Sequence, residues 1–253
     1  MTPSYANSPV SEVVFGVHFE PVVGLLSPHY GLLWETFREH GFEKLQELPP
    51  VPPSPRPMDA GQTPAPALSR IWFVREDDQQ LVQVQRDRLI FNWRKTAANE
   101  RYPGFAVVFA TFVGHLRRFQ TFLRAFELGD VEPLEFELSY VNHVLPSEVW
   151  SELSDVRNVF PDFGFGGSQE MLEVHWRTML RLEGVPGIVN TTVRSARRNP
   201  DNQPLLLLEL SAKGLSGEPE LYQAVDHWFD AAHESLGTIF EQMTSDAIRA
   251  RWR

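Results

Sequence analysis

LVQVQRDRLIFNWRK, residues 81–95, reads as two strands joined by a tight polar turn at Arg86 to Arg88. Side chains alternate between the faces of a strand, so Leu89, Phe91 and Trp93 share one face while Ile90, Asn92 and Arg94 share the other. The preceding strand repeats the mixture, with Val82 and Val84 set against Leu81, Gln83 and Gln85. Two faces that are both partly apolar place the pair well inside a sheet. Gln83, Gln85, Asn92 and Arg94 are then its densest polar cluster, either the solvated side of an antiparallel sheet or a binding surface.

Upstream, SEVVFGVHFE (11–20) alternates β-branched and aromatic residues, with Val13, Phe15, Val17 and Phe19 on one face of a strand. Ser27-Pro28 then signals a helix start, a side-chain cap followed by proline where the missing N–H costs nothing. The helix is expected to run to about His40 and close on Gly41, with a short strand expected at 42–48. Residues 49–68 are rich in proline and read as a surface loop; Pro52 and Pro55 make one PxxP, a candidate ligand for an aromatic groove. SRIWFVRE (69–76) is the strand that feeds the hairpin.

Downstream, Phe105, Val108, Phe109, Phe112, Leu116, Phe119, Phe122, Leu123 and Phe126 recur at three- and four-residue spacing, which predicts a long helix over 105–126 with an almost wholly apolar face. From Pro133 the order starts again. A strand is expected at 134–144, a short helix at 148–155 and a flexible link at 160–168. Strands follow near 171–183, 187–198 and 204–213, and a last helix runs from Pro219 to about Met243. The expected fold is therefore α+β: one long, mainly antiparallel sheet with two long helices on one face. The order β-α-β-β-β-α occurs twice, in halves of about 11–128 and 132–245 of a single domain, a layout of the TBP-like or helix-grip kind.

Composition narrows the function. A net charge of −10 and a pI near 5.3 disfavour a general nucleic-acid binder, whose affinity comes from clustered Lys and Arg. With no cysteines, disulfides, thiolate nucleophiles and cysteine-ligated metals are excluded. The start MTPSYANSPV has no basic stretch followed by an apolar core, and no run approaches the roughly 20 apolar residues of a membrane span, so a cytoplasmic chain is expected.

On the last helix Asp226, Asp230 and His233 fall at i, i+4 and i+7 beside the apolar stripe. They read either as a structural network at the helix edge or as a site with His233 as a base oriented by Asp230. No histidine pair has metal-ligand spacing, and Gly164, Gly166 and Gly167 fit neither a dinucleotide fingerprint nor a P-loop. No cofactor or metal is expected. Arg194, Arg197 and Arg198 form a small basic cluster at a hairpin end, which reads either as a solvated turn, the commoner case for three exposed arginines, or as a place to meet a phosphate or an acidic partner.

PVSEVVFGVHFEP, RIWFVRED followed by LVQVQRDRLIFNWRK, YVNHV (140–144) and the tail from DHWFDAAHESLGTIF together resemble the TIGR04255 family, sporadically distributed bacterial proteins. The resemblance spans most of the chain and implies no particular activity, cofactor or catalytic residue. Scattered occurrence suits an accessory gene of a mobile or defence-related operon. The first functional expectation is a non-catalytic protein-binding module, its partner another protein or a second copy, using Gln83, Gln85, Asn92 and Arg94 or the proline-rich loop. The alternative is a small-molecule-binding protein or enzyme with its pocket between the sheet and the last helix, near Asp230 and His233.

Overall fold

The structure, a computed structural model, describes residues 5–52, 68–96, 101–164, 170–198 and 201–253. Among these, nine strands form one antiparallel sheet. In chain order the strands are β1 Val10–Phe19, β2 Lys44–Leu48, β3 Arg70–Val74, β4 Gln80–Gln85, β5 Arg88–Arg94, β6 Pro133–Val144, β7 His175–Arg181, β8 Gly187–Arg197 and β9 Pro204–Gly214. The helices are α1 Ser27–Arg38, α2 Phe105–Ala125, α3 Val156–Val159, α4 Leu221–Met243 and α5 Asp246–Trp252. The sheet order is β2-β3-β4-β5-β1-β6-β9-β8-β7, so the hairpin that opens the reading above lies inside the sheet.

Period-two patterning decides which face is dry. Val13, Phe15, Val17 and Phe19 of β1 are fully buried and stand beside Trp93, Phe91 and Leu89 of β5 and Tyr140, Leu138 and Phe136 of β6. Both long helices lie on this face: the Phe15 ring is 5.2 Å from Phe112 of α2 and 5.4 Å from Phe229 of α4. Fully burying a side chain of this size stabilises by about 1.5–3 kcal/mol, so these rings hold the two layers together. The same core takes in α1 through Phe37, which packs on Phe73 of β3. His115 of α2 is buried beside Phe37, Phe42 and Phe91. Burial, and then the Arg118 charge, push its imidazole down to about 3.

Local chemistry sets the element ends. Gly41, at φ 85°, closes α1: its N–H donates to the Arg38 carbonyl (3.0 Å) and the next N–H, of Phe42, to Phe37 (3.4 Å). The start differs from expectation. Ser27 already lies within the helix, and the Leu26 N–H donates to Nδ1 of His29 at 3.0 Å, an imidazole doing the work of a capping carboxylate. At the far end of α2 the Gln120 carboxamide reaches the returning chain, its Oε1 accepting from the Val131 N–H (2.8 Å) and its Nε2 donating to Asp130 (2.6 Å). Gly214 lies opposite Gly187 where a Cβ would come within 2.1 Å of the Pro186 carbonyl oxygen, so the backbone approach there demands glycine.

The recurrence of order holds only in outline. Outward from the central β1–β6 pair the order is β5, β4, β3 on one side and β9, β8, β7 on the other, but β2 extends only the first side, giving four strands there after α1. The helix expected at 148–155 is instead a turn, closed by the Ser147 N–H donating to the Trp150 carbonyl (2.8 Å), then a 3₁₀ turn at Leu153–Asp155 and α3. Trp150 drives this: its ring is buried and its Nε1 donates to the Leu145 carbonyl (2.9 Å). Phe160, expected in a flexible link, is fully buried, and the glycines at 166 and 167 lie outside the described residues. The unforeseen α5 is capped by the Ser245 hydroxyl, which accepts from the Ile248 N–H (3.3 Å). Most of the proline-rich loop lies outside the described residues. No helix among them is long and apolar enough to cross a membrane.

Candidate functional site

A cavity of about 450 Å³ opens between the sheet, the start of α2 and the second half of α4. Its floor is Val10, Tyr140, Asn142 and Leu210; Tyr102 to Ala106 form one wall and His233, Leu236, Gly237 and Phe240 the other. Why space remains there is written in the sequence. The apolar stripe of α4 (Val225, Trp228, Phe229, Ala232, Leu236 and Phe240) is interrupted by His233 and Gly237 where two further large residues would fill the gap. Gly104, at φ 93°, begins α2 with no side chain and nothing within 4 Å of where its Cβ would lie.

The polar groups are few. Tyr140 Oη lies 2.9 Å from His233 Nδ1, and Phe105 stacks flat on the imidazole with centroids 4.0 Å apart and 4° between planes. Burial pushes His233 down to about 4, so the ring is neutral near neutral pH. A phenol is a stronger acid than a neutral imidazole, which assigns the proton to Tyr140 and leaves the ring hydrogen on Nε2. Burial, then the neighbouring Tyr102, holds the Tyr140 hydroxyl far above its ordinary range. The Tyr102 hydroxyl is buried out of reach of solvent, and its polar neighbour is the Tyr140 hydroxyl. Asn142, only 1 % exposed, donates Nδ2 to the Leu208 carbonyl (3.1 Å).

One of the expected pairings does not form. Asp230 is exposed, one step around α4 from the cavity, and does not orient His233; Tyr140 and Phe105 do that. Partial burial and the charges of Asp226 and Glu234 raise the Asp230 carboxyl. Among the described residues no group of three or more His, Asp or Glu is placed to hold a metal ion.

The hairpin cluster is buried rather than solvated. Asn92 Nδ2 donates to Glu12 (2.6 Å), Gln83 Nε2 to Asn92 Oδ1 (2.8 Å) and Arg70 to Gln83 Oε1 (3.3 Å), a chain of side-chain bonds crossing four strands. Gln85 clasps the backbone of Val51 from both sides (2.9 Å each way), and Arg88 donates to the Pro52 carbonyl (3.1 Å). The root of the proline-rich loop thus lies on this polar face. Arg94 stands apart and donates to the Asp78 carbonyl (3.2 Å). Beyond it on the same face, Glu137 meets His18 (3.2 Å) and Lys213 (3.0 Å). Burial alone would raise its carboxyl, but these partners hold it at about 2.

Of the lining residues His233 stands out in the sequence as a site candidate, whereas Tyr102, Tyr140 and Gly237 do not. One signal was available: a mid-helix glycine costs about 1 kcal/mol against alanine, so Gly237 on an otherwise apolar stripe marks missing volume. Nothing local marked Tyr102, which meets Tyr140 only through the tertiary fold.

Fold and site together define a two-layer α+β protein with an internal cavity lined by two tyrosines and a neutral histidine. Neither protein-family profiles nor curated proteins match the chain. Among solved structures, the crystal structure of DynU16, a protein of the dynemicin biosynthetic locus, is similar at 14 % identity over 92 % of this chain and 98 % of that one. The TM-score is 0.25, and a likeness at that level carries no argument.

Proposed function

We propose that the chain binds a small, largely apolar molecule bearing one oxygen that can accept a hydrogen bond, held in the cavity between β6, the start of α2 and α4. The carrying observation is the His233 imidazole in the wall of a space of about 450 Å³: its Nδ1 is taken by Tyr140, which leaves the Nε2–H of a half-buried ring without a partner among the described residues. Ligand pockets span roughly 300–1,000 Å³ and set a few polar groups in apolar walls. The lining supplies donors and an imidazole but no carboxylate or lysine, which favours a binding protein over an enzyme.

Thermal shift with a panel of small aromatic ketones and phenols tests this. At least one is expected to raise the melting temperature of the wild type, and Gly237→Leu, which fills the cavity, is expected to abolish the shift. Absence of any shift across ketones and phenols, or equal shifts in both proteins, sinks the reading. The protein-binding expectation moves away from Gln83, Gln85 and Asn92, which are occupied with one another or with the loop root, to the β7 edge of the sheet.

A further inference from the structure

Among the described residues the sheet ends at β7, and two backbone bonds fix what its outer edge presents. The Ser195 N–H donates to the Val174 carbonyl (2.9 Å) and the Leu182 N–H to the Gly187 carbonyl (3.0 Å). In an antiparallel pair, residues bonded to one neighbour alternate with residues turned away from it. Trp176, Thr178 and Leu180 therefore use their N–H and C=O on β8, while His175, Arg177, Met179 and Arg181 direct theirs out of the sheet. The same period places the side chains of these four on the face away from the helices. Arg194 and Ile188 of β8 stand opposite His175 and Arg181 on that face.

This edge is cationic with an apolar centre. Met179 is 61 % exposed and Ile188 41 %. Arg177 donates to the Asn190 carboxamide (3.1 Å), and none of Arg177, Arg181 and Arg194 meets a carboxylate among the described residues. Arg197 and Arg198, by contrast, are taken up locally by Asn202, Asp201 and Gln203. Glu173 and Glu183, two residues beyond either end of β7, confine the cationic stretch to the strand itself.

We propose that β7 receives an extended acidic segment of a partner protein as an added strand, with acidic, apolar and acidic residues at alternate positions facing Arg177, Met179 and Arg181. The row of outward N–H and C=O groups is satisfied by another extended backbone, and side chains at alternate positions then set specificity. A second copy of β7 paired antiparallel about Met179 is disfavoured because it would set Arg177 of each strand against Arg181 of the other. Nucleic acid cannot use the backbone row, and a net charge of −10 opposes a long polyanion.

The test is fluorescence anisotropy on the full chain with a labelled synthetic peptide of about nine residues, Glu at the two outer facing positions and Val elsewhere. The expected result is saturable binding that falls at least about tenfold on joint Arg177→Glu and Arg181→Glu exchange, and returns when the peptide carries Lys instead. Met179→Pro removes an outward N–H and the exposed apolar side chain but no bond to β8, so it is expected to block the peptide while leaving the melting temperature within a few degrees of wild type. No saturable binding, binding indifferent to both exchanges, or tighter binding of a duplex oligonucleotide at the same ionic strength would overturn the proposal. Gly237→Leu should bind the peptide like wild type, which keeps this surface separable from the cavity.

Discussion

Tyr140 and His233 lie 93 residues apart in the chain and meet at 2.9 Å in the wall of the cavity, the one from a central strand and the other from the long helix laid over it. That contact ties the sheet to α4 and fixes the imidazole against Phe105. Tyr140→Phe is expected to cost about 1 kcal/mol of stability, by leaving His233 Nδ1 without its donor. Urea denaturation measures the loss, and an unchanged midpoint would show the contact to be energetically idle.

Filling the cavity separates its role from that of the core. Gly237→Ala should stabilise the chain by up to about 1 kcal/mol, because α4 exchanges a poor helix residue for the best one. Gly237→Leu should keep the fold while losing every ligand-induced thermal shift. Loss of the fold in Gly237→Leu, seen by circular dichroism, would mean the space is too tight to accept a side chain.

Stability should depend on pH through the two buried histidines. Their folded values, about 3 for His115 and about 4 for His233, lie below the ordinary 6.5. As pH falls through about 6.5 the unfolded chain takes up protons first, so stability declines on acidification, down to about pH 4 for His233 and about pH 3 for His115. Glu137, held at about 2 against an ordinary 4.5, adds a further loss below about pH 4.5. His115→Leu should flatten the slope between pH 6.5 and 4.5, read from urea midpoints at each pH; a slope as steep as wild type would contradict this.

Asn92→Leu should destabilise by about 1–3 kcal/mol, since it strands the Gln83 amide and the Glu12 carboxylate that Asn92 joins. A binding role for this cluster would show instead as unchanged stability with a lost partner, so denaturation and pull-down of the same variant decide between them.

Phe229→Ala should cost about 3–5 kcal/mol. Its ring touches Phe15 of the sheet, Phe112 of α2 and Phe136 of β6 at centroid distances of 5.4, 5.3 and 5.6 Å, so both layers lose packing at once. A cost under about 1 kcal/mol by chemical denaturation would show that the layers collapse around the gap.

The sequence by itself determined the alternation in Val13 to Phe19, the hairpin at 81–95 and the three- and four-residue spacing along α2 and α4, because burial periodicity is a local property of strand and helix geometry. From these the two-layer α+β arrangement followed. Only the tertiary structure decided that Gln83 and Asn92 bond to each other, that His233 turns to Tyr140 rather than Asp230, and that Tyr102 sets its hydroxyl beside that of Tyr140. Those are meetings between residues far apart in the chain, and which pairs meet depends on sheet order and helix placement. The cavity belongs with them: a glycine and a histidine on a helix announce missing volume, but whether neighbours close over it is settled by packing alone.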